Sequence, residues 1–189
     1  MKIDKKKTMY VSAGRIKGRK ILRPPGEIRP ITSKVKQALF NIIGDCSGMK
    51  TLDLFGGSGS ITLEAYSRGA EECVIVEADV SKKNVILENL KNAGFQKCKV
   101  VISDALRYCK NCSEQYDFIM LDPPFVWDKK EELLELIGDR NMLSDDGILV
   151  LHVFKKEEIS PKIGKFVRYD QRTYGSNTLM FYKNESNLK

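Results

Sequence analysis

The 189-residue sequence predicts an α/β fold: one mostly parallel, seven-stranded sheet with helices on both faces, preceded by a small β-hairpin extension. Two observations lead there. From residue 51 onward, five short apolar, β-branched runs alternate with helix-period segments, the order that winds strands into a parallel sheet. The last two runs, residues 165–172 and 178–183, instead follow one another across Tyr174-Gly175-Ser176-Asn177, a turn that joins antiparallel neighbours.

Charge sets the first element apart. Residues 1–36 hold twelve Lys or Arg against Asp4 and Glu27, while the other 153 residues carry 20 basic and 23 acidic side chains. An arm with ten surplus positive charges on a slightly acidic body suits an arm that meets phosphate and a body that houses the chemistry. Lys2 to Lys7 also read as a solubilising tail. From Tyr10 the pattern alternates around Gly14 and Gly18, as in a hairpin presenting Arg15, Lys17 and Arg19. Arg23-Pro24-Pro25-Gly26 reads as a stiff linker, which gives an arm of residues 1–30 and a body of residues 31–189. Thr32 is placed to N-cap a helix over residues 33–43, with Val35, Leu39, Ile42 and Ile43 on one face.

The first strand, residues 51–55, runs into Gly56-Gly57-Ser58-Gly59 and then a helix to Arg68. Glycines let the backbone turn tightly and approach a ligand, and the helix N-terminus beyond offers unpaired N–H groups. Counting Gly57-x-Gly59-x-x leads to Thr62, so the dinucleotide fingerprint lacks its third glycine. The loop reads as a nucleotide-type cofactor site or as an ordinary tight turn. Glu77 ends the second strand 18 residues after Gly59, a position suited to two ribose hydroxyls. A helix over residues 81–92, closed by Gly94, leads to a third strand at residues 100–103. Asp104 at its end can accept from an adenine amino group, N-cap the helix at residues 105–112, or do both.

A fourth strand, residues 118–121, leads into Asp122-Pro123-Pro124-Phe125. Successive prolines fix φ and remove two amide donors, leaving the carbonyls of Asp122 and Pro123 outside any regular ladder. Acceptors beside an aromatic ring suit a flat base with an exocyclic amino group. A rigid strand exit with a turn-capping Asp is the plainer alternative. A helix over residues 129–137 and a fifth strand over residues 147–154 complete the parallel set. Asp53, Glu77, Asp104 and Asp122 thus fall at the carboxyl ends of four strands, where open α/β sheets bind ligands.

With these residues in place, the chain resembles the class I S-adenosylmethionine-dependent methyltransferases. Within them it is similar to the RsmD-like family, which methylates the N2 amino group of a guanine in small-subunit (16S) ribosomal RNA. The resemblance rests on residues 14–22, Arg29-Pro30-Ile31-Thr32 with Val35, Ala38-Leu39-Phe40-Asn41, Leu52-Asp53-Leu54-Phe55 with its glycines, Glu64-Ala65, Ser67-Arg68-Gly69-Ala70 and the Asp-Pro-Pro-aromatic motif. It implies a Rossmann-like methyltransferase fold and S-adenosylmethionine held by Asp53, Phe55, Gly57, Ser58, Gly59, Glu77 and Asp104. Catalysis would fall to Asp122, Pro123, Pro124 and Phe125, and RNA contact to Arg15, Lys17, Arg19, Lys20, Arg29 and Lys34. The implied partner is small-subunit ribosomal RNA, naked or within an assembling particle. The chain departs from the family at Ile31 and Ser33, where Thr and Asp are usual, at Phe125 for Tyr, and at His152 for a glutamate.

Adenine-N6 methylation of RNA or DNA shares the Asp-Pro-Pro-aromatic chemistry, and a non-catalytic RNA-binding assembly factor with the same fold is the reading from a different class. A protein-glutamine methyltransferase prefers Asn at the first motif position and has little use for a basic arm. Composition narrows the rest. No run approaches the roughly 20 apolar residues of a membrane span, and the start lacks a signal-peptide apolar region, so a cytoplasmic protein is expected. Five irregularly spaced cysteines suit reduced thiols, and Cys109-x-x-Cys112 without a second pair suits helix side chains better than a metal site. His152, the chain's one histidine, reads as a packing residue at a strand end, since amino methylation needs no strong base.

Overall fold

Residues 9–24 and 31–187 are described by the computed structural model. The described part of the arm holds the hairpin β1 (Met9–Tyr10) and β2 (Lys20–Ile21), and α1 is Ser33–Ile43. Then come β3 (Lys50–Asp53), α2 (Ser60–Ser67), β4 (Glu72–Glu77), α3 (Lys83–Ala93), β5 (Cys98–Ile102), α4 (Ala105–Asn111) and β6 (Tyr116–Leu121). The chain closes with α5 (Lys130–Asp139), β7 (Leu143–Phe154), β8 (Lys162–Ile163), β9 (Phe166–Tyr174) and β10 (Asn177–Asn184). The sheet order is β5-β4-β3-β6-β7-β10-β9-β8, parallel from β5 to β7 and antiparallel beyond.

The five parallel strands and the final hairpin are those the sequence predicts. An eighth, β8, adds a two-residue edge too short for any periodicity to register. Strand β7 also begins at Leu143 rather than 147, because the polar stretch Ser144-Asp145-Asp146 enters the sheet across a register shift opposite Tyr116 and Phe118.

Both sheet faces are covered, so the strands bury alternate residues in two cores. Phe118 and Met120 of β6 pack toward the arm, α1, α2 and α3, whereas Ile119 and Leu121 pack toward α4 and α5. Truncating a fully buried ring such as Phe118 to Ala would cost about 3–5 kcal/mol. Helix α1 is capped as predicted, with Thr32 Oγ1 accepting from the Val35 amide at 3.3 Å. Its buried face is Val35, Lys36, Leu39, Phe40 and Ile43, and Ile42 is turned outward. Lys36 displaces Ile42 from the expected stripe because it has a charged partner inside.

That partner is Glu64 of α2, wholly buried, which holds the arm onto the body. Its carboxylate accepts from Lys36 Nζ (3.2 Å), the Ser12 amide (2.9 Å) and hydroxyl (2.6 Å), the Ala13 amide (3.1 Å) and Arg68 Nε (3.3 Å). Burial alone would raise the Glu64 pKa, but these bonds and the Lys36 charge hold it below the usual carboxylate range. Lys36 is lowered by burial, against the pull of Glu64. One turn later the Ser67 carbonyl accepts from the Arg15 amide at 2.8 Å, while Ser67 Oγ accepts from Ile16 and donates to the Ala13 carbonyl. Gly14 sits in this join at φ +81°, and a Cβ there would lie 1.9 Å from the Ser67 carbonyl oxygen. Only glycine fits. Among the described residues no helix is long and apolar enough to cross a membrane.

Candidate active site

The strand order reverses between β3 and β6: β4 and β5 extend the sheet to one side of β3, β6 and β7 to the other. Asp53 at the end of β3 and Asp122 just past β6 flank this switch point, where open α/β sheets bind ligands. Asp53 is buried, and Thr62 Oγ1 donates to its Oδ2 at 3.3 Å. Burial, then the Asp122 charge, push its pKa up to about 7, so near neutrality the site holds a carboxyl poised between its two forms.

The glycine turn is shaped by close packing. A Cβ on Gly56 would stand 2.2 Å from Ile75 Cγ2 of β4, so the turn lies flat against its neighbour strand. Glu77 at the end of β4 accepts from the Gly57 amide (2.8 Å), the Asp79 amide (2.9 Å) and Lys82 Nζ (3.2 Å). Its carboxylate therefore braces the loop from below. Ser58 is buried, and its carbonyl accepts from Asn89 Nδ2 of α3 at 2.9 Å. Phe55 packs edge-on against Trp127, with centroids 5.2 Å apart. Asp104 is exposed at the end of β5 and N-caps α4 through the Arg107 amide at 3.0 Å.

Beyond β6, no protein donor reaches the carbonyls of Asp122 and Pro123 among the described residues, while the Pro124 carbonyl accepts from the Trp127 amide at 2.8 Å. The loop is pinned by buried Lys130, whose Nζ donates to the carbonyls of Phe125 (3.0 Å) and Trp127 and pairs with Glu157 at 2.6 Å. Asp122 Oδ1 lies 2.6 Å from His152 Nδ1, and the half-buried Phe125 ring meets the same imidazole edge-on at 5.5 Å.

Sequence reasoning brings Asp53, Phe55, Gly57, Ser58, Gly59, Glu77 and Asp122 to this edge of the sheet, with Asp104 farther out at β5. His152 is a buried packing residue at the end of its strand, as the sequence predicts, but its bond to Asp122 and the bracing roles of Asn89 and Lys130 are not legible there. Leu121 and Leu151 are in register on β6 and β7, which puts the next residues, Asp122 and His152, side by side. On the arm, Arg15, Lys17, Arg19, Lys20 and Lys34 are exposed, and the Arg15 guanidinium lies 3.8 Å over the Tyr66 ring. Arg29 lies outside the described residues. Cys109 and Cys112 are buried thiols, with burial pushing Cys109 up to about 12.

A parallel sheet reversing at β3/β6, with β10 slotted antiparallel between β7 and β9, is the architecture of the class I methyltransferases. The solved Escherichia coli protein yhhF superimposes with a TM-score of 0.85 at 25% identity, over 94% of this chain and 98% of its own. The chain belongs to the family described as Conserved hypothetical protein 95, the RsmD-like methyltransferases, whose pattern it matches over residues 9–183. Bacillus subtilis YlbH is 36% identical over 181 residues, 93% of this chain and 98% of the relative. Ribosomal RNA small subunit methyltransferase D of Escherichia coli is 32% identical over 145 residues, 74% and 71% respectively.

Proposed function

We propose that this protein transfers a methyl group from S-adenosylmethionine to the exocyclic N2 amino group of a guanine in small-subunit ribosomal RNA. The observation that carries the reading is Asp122 at the switch point: one carboxylate oxygen is tied to His152, which also meets the Phe125 ring, and the other has no partner among the described residues. The resemblance to the Escherichia coli enzyme supports ribosomal RNA as the substrate.

The residues present fit a cationic cofactor. Burial and the Asp122 charge raise the cost of ionising Asp53, a cost that a sulfonium and an ammonium relieve. When bound, S-adenosylmethionine supplies an activated methyl group. Asp53 and the turn of Phe55, Gly57, Ser58 and Gly59 then line its methionine side, Glu77 its ribose and Asp104 its adenine end. The guanine amino group is a weak nucleophile, so positioning does most of the catalysis. Asp122 and the Pro123 carbonyl accept its hydrogen bonds, orient the nitrogen lone pair and stabilise the positive charge that develops there. Pro124 stiffens the loop and Phe125 stacks on the base. The arm, residues 1–30, grips the RNA backbone through Arg15, Lys17, Arg19, Lys20 and Arg29, joined by Lys34 of α1.

Small-subunit ribosomal RNA from a strain lacking this protein, incubated with the purified enzyme and labelled cofactor, tests this. Nucleoside mass spectrometry should find one new N2-methylguanosine, and Asp122→Ala should abolish it. N6-methyladenosine would redirect the reading to adenine, and an RNA left unlabelled would overturn it.

A further inference from the structure

Of the side chains that the transfer as described does not use, one touches Asp122 itself. His152 lies near the end of β7, buried, between two acceptors: Asp122 Oδ1 at 2.6 Å from Nδ1 and Asn177 Oδ1 at 3.0 Å from Nε2. The Asn177 amide is oriented by its own Nδ2, which donates to the Tyr174 carbonyl at 3.4 Å. Two acceptors facing the two ring nitrogens require both to carry protons. The third contact is Phe125, edge-on to the ring. One imidazole therefore touches both the acceptor and the stacking ring of the Asp-Pro-Pro-Phe motif.

We propose that His152, as an imidazolium, is a positioning residue for methyl transfer: Nδ1 anchors Oδ1 of Asp122 so that Oδ2 is presented to the incoming amino group, while the ring backs Phe125. An unanchored Asp122 could rotate about χ1 and χ2 and offer either oxygen to solvent. The anchor removes that freedom before the base arrives, which is how a second layer of contacts fixes a reacting group. Burial disfavours the charged ring, but the bond to Asp122 and its charge outweigh this and leave the His152 pKa above its ordinary value.

The inference rests on the methyl-transfer reading, and the experiment separates the two. Wild-type turnover on ribosomal RNA is measured first, and its absence would defeat the reading rather than the anchor. His152→Ala should then lower kcat by about ten- to a hundredfold while the KM values for cofactor and RNA stay within about twofold, since misplacement of a reacting group acts on the transfer step. His152→Asn, which retains an N–H near the Nδ1 position, should restore kcat to within about fivefold of wild type. In the wild-type protein at neutral pH, nitrogen NMR of the single imidazole should show both ring nitrogens protonated. Wild-type kcat in His152→Ala, or a neutral ring at pH 7, would overturn the proposal. If His152→Ala fails to fold, His152→Asn and the ring spectrum decide, and an Asn variant as slow as Asp122→Ala would count against the anchor.

Discussion

Asn89 Nδ2 donates to the Ser58 carbonyl at 2.9 Å, and the same side chain holds Leu22 of the arm by two bonds, Nδ2 to the Leu22 carbonyl and the Leu22 amide to Oδ1, both 2.8 Å. One buried amide on α3 thereby links the segment carrying the basic hairpin to the glycine turn. Asn89→Ala leaves two carbonyls and one amide without their partner, a cost of about 1–3 kcal/mol each where water cannot replace it. Urea denaturation should show the lost stability, and calorimetry should show weaker S-adenosylmethionine binding than in an exposed control such as Glu88→Ala. Unchanged cofactor affinity would mean that the turn keeps its shape without α3.

The arm's seat on α2 depends on Gly14. Gly14→Ala forces a Cβ to 1.9 Å from the Ser67 carbonyl oxygen in a backbone conformation that disfavours side chains, so residues 12–16 must lift away. Limited proteolysis should cut the variant near residue 15 and leave the wild type intact there. The body, cored by the sheet, should retain cofactor binding. Equal protease resistance would show that the join tolerates the shift.

How much of this could be read beforehand follows from the range of each signal. Strand and helix order and the ends of β4 and β6 follow from local periodicity, and so does the placement of Glu77 and Asp122; β3 stops at Asp53, two residues short of the expected Phe55, because Leu54 and Phe55 already belong to the turn. Thr32 and Asp104 act as caps because capping is decided within three residues. What escaped was long-range. Lys36 and Glu64 are 28 residues apart in sequence, and nothing near Lys36 marks it as buried, so the periodicity of α1 predicts Ile42 as an inward residue. The same holds for Asn89 and Leu22, and for Asp122 and His152, whose contacts exist only once strand register and helix docking are known. Strand β8 failed for a different reason, having only two residues.

The exposed basic residues of the hairpin give a salt-dependent expectation. Lys17, Arg19 and Lys20 are solvent-facing. If each neutralises one phosphate, replacing all three by Gln should lower the slope of log K against log salt by about 2–3. Equilibrium binding to ribosomal RNA over a salt series measures this. A parallel line, merely displaced, would place phosphate contact elsewhere.

Asp53 should make cofactor binding a proton-releasing event. With a pKa of about 7 it is largely protonated at pH 6, and a cation beside it favours the ionised form. Calorimetry at pH 6 in two buffers of different ionisation enthalpy should report release approaching one proton, falling toward zero at pH 8. Asp53→Asn should remove the buffer dependence. Identical heats in both buffers for the wild type would mean that the cation does not bind near Asp53.

The stability profile should carry the signature of His152. Its folded pKa lies above the ordinary value of 6.5, so the native state holds a proton that the unfolded chain gives up near pH 6.5. The resulting stabilisation is fully present below pH 6.5 and is lost as pH rises through the folded-state value. Asp53 slopes the same way over a lower range, because its pKa is raised from 3.8 to about 7 and the native state binds the extra proton between those values. The two are separable by substitution. Urea midpoints of the wild type and His152→Asn, compared from pH 6 upward, should converge as the wild type loses its imidazolium, while Asp53 contributes alike to both. A constant gap across that range would mean that His152 is neutral in the folded protein and that the Asn177 amide is turned to donate to it.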